Sequence, residues 1–287
     1  MTTSYTIHNT FADCSVKELL EEHLLIPRKI RHFLRTKKHL LVNGRAVNWQ
    51  SSVHLGDVIN LTFDEEDYPQ KTLPAGNADL IDCLYEDDHL IIVNKPEGLK
   101  THGNEPTEIA LLNHVSTYAG CVCYVVHRLD METSGAVLFA KNPFILPLLN
   151  RLLEQKRIKR QYLALVDGLL PKTRTISDKI GRHRHDRRKR VVDHRHGQVA
   201  LTRVSPVQFD EQRTLVSCQL ETGRTHQIRV HLSHQGLPLL GDPLYHPKPK
   251  GRLMLHAHQL NFTHPLTRQE ITVTCSSKTF EQTLKTP

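Results

Sequence analysis

Apolar residues along this chain gather into short runs of strand length, interrupted by a few stretches with helical spacing. From Ser15 to about Leu25, Val16, Leu19, Leu20 and His23 recur on one helical face, and Ser15 stands where a cap is needed. Pro27 suits the first turn of a second helix, reaching about Lys38, in which Ile30, Phe33 and Leu34 keep the same spacing. Leu40 to Val42, an Asn43-Gly44 turn and a return through Ala46 to Trp49 predict a hairpin, because Asn-Gly supplies the left-handed backbone of a tight turn. Val53 to Phe63, with Gly56-Asp57 inside it, ends on another strand. Asp64 to Ala78 is polar, with two prolines and a glycine, the composition of a connection. The division expected is a small module over residues 1–70, a linker over 71–79 and a large domain over 80–287.

In the larger part, strands are predicted at Ile81 to Glu86, Leu90 to Asn94, Cys121 to Val126, Ala136 to Ala140, Arg160 to Val166, Leu201 to Phe209 and Thr214 to Leu220. Ile145 to Lys156 has the helical period, with Leu146, Leu149, Leu152 and Leu153 inward and Pro147 tolerated in the first turn. Glu221 to Leu232 reads as a strand end, a glycine turn at Gly223, then a helix ending at Gly236.

Charge sharpens this picture. Among 287 residues, 38 Lys and Arg against 30 Asp and Glu give a net +8, which points to a polyanionic partner. No basic amphipathic helix with bulky aromatics stands out, so nucleic acid is favoured over a membrane. Arg28, Lys29, Arg31, Arg35, Lys37 and Lys38 fall within eleven residues free of acids, the pattern of a phosphate-facing helix. Arg182 to Arg190 is too basic for a core; it is a disordered loop or an RNA-gripping arm, with Arg187, Arg188 and Lys189 as its contacts.

The six cysteines are scattered without a C-x-x-C pair, as reduced thiols are, and Cys121 and Cys123 share one strand face. Met1 to Cys14 lacks the apolar stretch of a signal peptide, and no run of ~18 apolar residues is present, so a cytoplasmic location is expected. Glycine-rich phosphate loops, H-E-x-x-H and clustered thiol ligands are absent, so no cofactor is expected. His183, His185, His194 and His196 could be metal ligands, but their basic surroundings would repel a dication.

The chemistry concentrates in His127-Arg128-Leu129-Asp130-Met131-Glu132-Thr133-Ser134-Gly135. A lone carboxylate, Asp130, sits between an arginine and a Thr-Ser-Gly turn on the connection between two apolar runs, where it is held rigidly and can face a cleft. Lys95-Pro96-Glu97-Gly98-Leu99 forms a stiff loop holding one lysine near that cleft, as a structural or a functional element.

The His127 to Gly135 string resembles the catalytic-aspartate motif of the RluA family of pseudouridine synthases. Asn94-Lys95-Pro96-Glu97-Gly98 resembles that family's first motif and Glu221 to Leu232 its third, followed by Gly241-Asp242-Pro243-Leu244-Tyr245 and Leu255-His256-Ala257. The matches keep family order from residue 81 to about 262. Val42-Asn43-Gly44 and Gly56-Asp57-Val58 resemble the S4 RNA-binding fold.

The resemblance implies an α+β fold: a large mixed, mainly antiparallel sheet flanked by helices around a central catalytic cleft, with a small S4-like α/β module before it. It implies isomerisation of uridine in structured RNA, with ribosomal RNA favoured over transfer RNA, by a monomer. Asp130 would act at C1′ or C2′, ionised beside Arg229; Arg128 would fill the place of the extruded nucleotide, and Tyr162 would lie against the base. Ile228 and Leu255 would line the pocket, and Lys95 and Arg224 would contact RNA. The stretch from 182 to 196 is longer and richer in histidine than the family's usual one. The rival reading is a non-catalytic RNA-binding or ribosome-associated protein on the same scaffold.

Overall fold

A computed structural model describes residues 2–69 and 71–285. Four antiparallel strands make the first sheet, in the order β1 (Thr2–His8), β4 (Val58–Asp64), β2 (Leu40–Val42), β3 (Arg45–Ala46). The alternation along β4 puts Ile59, Leu61 and Phe63 inward. Along β1 the half-buried Tyr5 and the buried Ile7 alternate with exposed Ser4, Thr6 and His8. Its backbone pairs with β4 residue for residue, from Thr2 against Asp64 to His8 against Val58, and with only two apolar positions its alternation was too short to single it out in the sequence. Asn43 (φ 50°) and Gly44 (φ 74°) make the tight turn, and Asn43 Oδ1 accepts from the Val58 N–H at 2.9 Å.

Ser15 caps a helix as expected, its Oγ accepting from the Glu18 N–H. The helix runs only over Val16–Glu18 and then widens into a π-helical turn, Leu19–His23. The basic helix α1 (Arg28–Thr36) follows Pro27 and ends before Lys37 and Lys38.

The second sheet is ordered β9 (Arg174–Ile176), β12 (Thr202–Phe209), β13 (Arg213–Leu220), β8 (Lys159–Asp167), β14 (Leu255–Thr263), β7 (Ser134–Ala140), β6 (Leu90–Lys95), β5 (Cys83–Glu86). β15 (Glu270–Thr274) pairs with β14, and a separate hairpin joins β10 (Ile180–Arg182) to β11 (Arg190–Val192). Every pairing in the large sheet is antiparallel except β7 with β14 at its middle. The predicted run Cys121 to Val126 yields only a two-residue strand, Tyr124–Val125, against the end of β7.

β7 is buried along its whole length. Leu138 and Ala140 face one core with Leu90, Ile92 and the Leu148, Leu149 and Leu152 face of α3 (Leu146–Glu154). Val137 and Phe139 face the other, with α2 (Leu111–Tyr118) and Ile228 and Leu232 of α4 (Gln227–His234). The first core runs without a break into the N-terminal sheet, where the Phe144 ring lies 5.7 Å from those of Tyr5 and Phe63. The connection 71–79, read as a linker, is fastened to α2: Asn113 Nδ2 donates to the Pro74 carbonyl and Asn77 N–H to His114 Nδ1. α2, β15 and the C-terminal helix α5 (Lys278–Lys285) were not foreseen.

Candidate active site

Asp130 sits on the loop that enters β7, and that loop is pinned from several sides. Thr101 Oγ1 donates to the Leu129 carbonyl at 3.0 Å and accepts from the Leu129 N–H at 3.1 Å. The Met131 carbonyl accepts from the Gly98 N–H at 2.8 Å, and the Asp130 carbonyl from the Thr133 N–H at 3.1 Å. His127 accepts the Leu138 N–H on Nε2 at 3.2 Å, tying the start of the motif to β7. Burial drives the His127 pKa down to about 3, so its imidazole is neutral. Gly135 is required where β7 runs beside β14: at φ 121°, a Cβ there would stand 2.3 Å from the Ala257 carbonyl oxygen.

Lys95 corrects an expectation. Its side chain is fully buried, and Nζ donates to the carbonyls of Pro96 (2.9 Å), Leu99 (2.7 Å) and Met131 (3.1 Å). All three donors are spent on holding the Asp130 loop, so Lys95 does not contact RNA. Burial lowers its pKa to about 8, against the pull of Asp130, Glu132 and Glu97.

Arg229 reaches Asp130 from α4, which the chain enters through His226 in the left-handed region (φ 59°). The Arg229 side chain is 1% exposed. Its Nε and Nη2 grip both oxygens of Asp242 at 2.8 and 2.7 Å, leaving Nη1 to meet Asp130 Oδ2 at 3.3 Å. Asp242, wholly buried, also accepts the N–H groups of Leu244 and Tyr245. The Tyr245 ring supports the guanidinium from 5.3 Å. One buried cation thus gathers three carboxylates: Asp242 aims it, Asp130 receives its free edge, and Glu132 Oε2 stands 3.8 Å from the same Nη1. Burial depresses the His226 pKa, outweighing the charge of Asp130, and its Nε2 lies 3.8 Å from the same Oδ2. The Tyr245 hydroxyl, which accepts the Arg190 N–H at 2.8 Å, meets His226 Nδ1 at 2.8 Å. If that hydroxyl donates to Nδ1, the imidazole carries its proton on Nε2, toward Asp130.

These groups open onto a cavity of about 610 Å³ whose walls bring together Arg128, Asp130, Tyr162, Ile228, Arg229 and Leu255. Arg128 is exposed at its mouth, whereas Tyr162 is 5% exposed and burial raises its hydroxyl pKa. A second cavity of about 620 Å³ lies across the same loop, lined by Lys100, His102 and Arg188, and Arg128, Asp130 and His226 belong to both walls. Sequence reasoning assigned no role to Asp242, Tyr245, His226 or Arg160. Arg160 lines the first cavity with its Nε buried and without a partner, two residues before Tyr162 on β8. The period of two along a strand was the available signal.

The basic residues divide. Arg28, Lys29, Arg35 and Lys38 are exposed. Arg31 is half-buried and pairs with Glu21, and Lys37, also half-buried, is tied to Asp64, Glu66 and Asp67, so these two are less free to meet a phosphate than their four exposed neighbours. Arg187, Arg188 and Arg224 are exposed and Lys189 is half-buried; Arg188 also grips Asp186. Of the two states expected for the stretch around residues 182–190, the structure has an ordered hairpin.

The profile of the RNA pseudouridylate synthase family matches residues 89–234, and that of the RluD ribosomal pseudouridine synthase N-terminal domain matches residues 3–59. An uncharacterized RNA pseudouridine synthase of Bacillus subtilis is 39% identical over 246 residues, 82% of this chain and 80% of that protein. A ribosomal large subunit pseudouridine synthase D of Nitrosomonas europaea is 36% identical over 289 residues, 92% of this chain and 81% of that protein. Among solved structures, human RNA pseudouridylate synthase domain containing 4 superimposes with a TM-score of 0.61 at 25% identity, covering 71% of this chain and 91% of that one.

Proposed function

This chain belongs to the RNA pseudouridylate synthase family, and we propose that its chemistry runs on Asp130. The reaction turns a uridine of RNA into pseudouridine. The N1–C1′ bond breaks, the uracil turns, C5 joins C1′, the C5 proton is lost and N1 takes one up. Nothing is oxidised or reduced in this isomerisation, so the reading needs no cofactor.

The observation that carries the assignment is the carboxylate of Asp130 at the wall of the 610 Å³ cavity that Tyr162 also lines, 3.3 Å from a buried guanidinium. Departure of uracil leaves C1′ electron-poor, as in glycoside hydrolysis. Asp130 can attack that carbon, stabilise its charge or take the C2′ proton. Arg229 fixes the orientation of the carboxylate, and its own clamp on Asp242 keeps it from swinging into the cavity. A uridine must leave its stack to reach this depth, which costs a few kcal/mol. The exposed Arg128 guanidinium at the mouth is placed to stack in the vacated position. Tyr162 supports the flat base and Ile228 and Leu255 close the apolar side, while Arg224 stands at the rim beside the incoming backbone.

The substrate we propose is large-subunit ribosomal RNA, because the N-terminal residues 3–59 match a domain named for ribosomal synthases, and relatives named synthase D align over most of this chain. Residues 1–70 form the S4-like RNA-binding module in this reading, touching phosphates through Arg28, Lys29, Arg35 and Lys38. The enzyme acts as a monomer in the cytoplasm. Among the described residues no helix is long and apolar enough to cross a membrane.

The test is purified protein on total cellular RNA, with pseudouridine mapped with and without the chain. New sites should fall in large-subunit ribosomal RNA; sites in transfer RNA would overturn the substrate. Asp130→Asn should form no pseudouridine while binding the same RNA with nearly unchanged affinity. An active Asn variant would refute the catalytic assignment.

A further inference from the structure

A third cavity, about 310 Å³, lies between the β10–β11 hairpin and the chain entering α4. Arg182, Arg190, His196 and Arg224 line it, with Gln198 and Thr225, and no carboxylate is among its walls. Arg182 and Arg190 are register partners, facing each other across the hairpin. Like charges directly opposite on paired strands repel. Among the described residues none of the three arginines has an acidic partner within salt-bridge reach: Arg190 Nη1 donates to the carbonyls of Arg187 and Lys189, and Arg224 Nε to that of Val199. Those bonds position the guanidinium groups without neutralising them. Asp193, on the return of the hairpin, accepts the N–H groups of Arg195 and His196 on Oδ1 and lies with Oδ2 against Gly181 at the edge of the cavity, outside salt-bridge reach of the three arginines.

The pocket is also fixed to the catalytic carboxylate. Arg224 and Thr225 line both this cavity and the one that holds Asp130. The Arg190 N–H is held by the Tyr245 hydroxyl, which meets His226 beside Asp130. Facing, unpaired guanidinium forks are complementary to the two free oxygens of a phosphodiester. We infer that this cavity is a phosphate subsite, holding the RNA backbone of a nucleotide that flanks the target uridine and so setting which strand direction enters the cleft. The inference rests on the proposed reading of the chain as acting on RNA.

The test is binding alone, by fluorescence anisotropy of a labelled single-stranded RNA pentamer with a central uridine, using the full chain over a series of salt concentrations. Arg182→Gln with Arg190→Gln should weaken binding roughly tenfold at low salt and flatten the salt dependence by about 0.7 in log–log slope for each phosphate no longer gripped. Arg203→Gln, which removes an exposed charge on β12 outside the cavity, should leave the slope unchanged. A neutral methylphosphonate placed at each linkage in turn should weaken binding to the unaltered chain at one linkage above all, and that penalty should vanish in the double variant. An unchanged slope, or equal penalties in both proteins, overturns the subsite. So does selective displacement of the pentamer by inorganic phosphate at matched ionic strength, which would mean a site for free phosphate. If the double variant fails to fold, the linkage scan on the unaltered chain decides: one dominant linkage supports the subsite and an even profile refutes it. Pseudouridine is not part of the readout, so an inactive but linkage-selective protein would sink the enzymatic reading and leave this one standing.

Discussion

Single residues here do opposite things with the same charge. Arg229 and Lys95 are both buried cations beside the Asp130 loop, yet the guanidinium faces the carboxylate and the ammonium faces three carbonyls. The difference is geometric: a fork can hold Asp242 with two nitrogens and still present a third, whereas an ammonium in a carbonyl cage has nothing left to offer. His127, next to Arg128 in sequence, is likewise a support. Its folded pKa of about 3 lies below the ordinary value of 6.5, so between those two pH values the unfolded chain binds the additional proton. The stability this provides is complete above pH 6.5 and is lost as pH falls toward 3, with a slope on the order of 1.4 kcal/mol per pH unit at its steepest. Urea unfolding of the wild type and of His127→Gln across that range should show the difference in stability flat above pH 6.5 and shrinking below it. A difference that ignores pH would mean the imidazole is not held neutral.

At the scale of elements, the parallel contact of β7 with β14 decides where Asp130 lies. Ser134 and Gly135 meet His256 and Ala257 there, and Ser134 Oγ is further held by His256 Nδ1 and Arg252 Nη2. Gly135→Ala adds a methyl where only 2.3 Å separates it from the neighbouring carbonyl, in a backbone region closed to most side chains. Strain of this kind costs about 1–3 kcal/mol before the clash itself. We expect a lowered thermal midpoint together with a loss of pseudouridine formation larger than the loss of RNA binding, because the loop carrying Asp130 must move. Unaltered turnover in Gly135→Ala would show that the register does not position the carboxylate.

Across the whole molecule, the two sheets share one apolar core. Phe144, 2% exposed, joins them through Tyr5 and Phe63. Removing its ring should cost about 3–5 kcal/mol, the range for a buried phenylalanine. Chemical denaturation of Phe144→Ala, followed by both fluorescence and circular dichroism, should give one transition at a lower midpoint. Two separated transitions would mean that the N-terminal sheet is a free module carried by the enzyme. A shared core gives the basic helix α1 a fixed position relative to the catalytic cleft.

Much was legible in the order of residues alone. The strands β6, β7, β8, β12 and β13 announced themselves because buried strands demand apolar runs, and the helix α3 by its period. Asp130, Arg128 and Arg229 stood out because short motifs in a fixed order carry their own context, and Tyr162 through the family resemblance alone. The strand β1 went unread, since its alternation rests on two residues, Tyr5 and Ile7, set among threonine and serine. Nor was the fate of each cation legible: Lys95, Arg31 and Lys37 look like RNA contacts in one dimension, and only folding shows which carbonyls and carboxylates engage them. The sequence determined which chemistry this protein carries. The tertiary structure alone decided which charges remain free to perform it, because charge is neutralised by neighbours in space, and such neighbours, as Arg229 and Asp130 show, lie far apart along the chain.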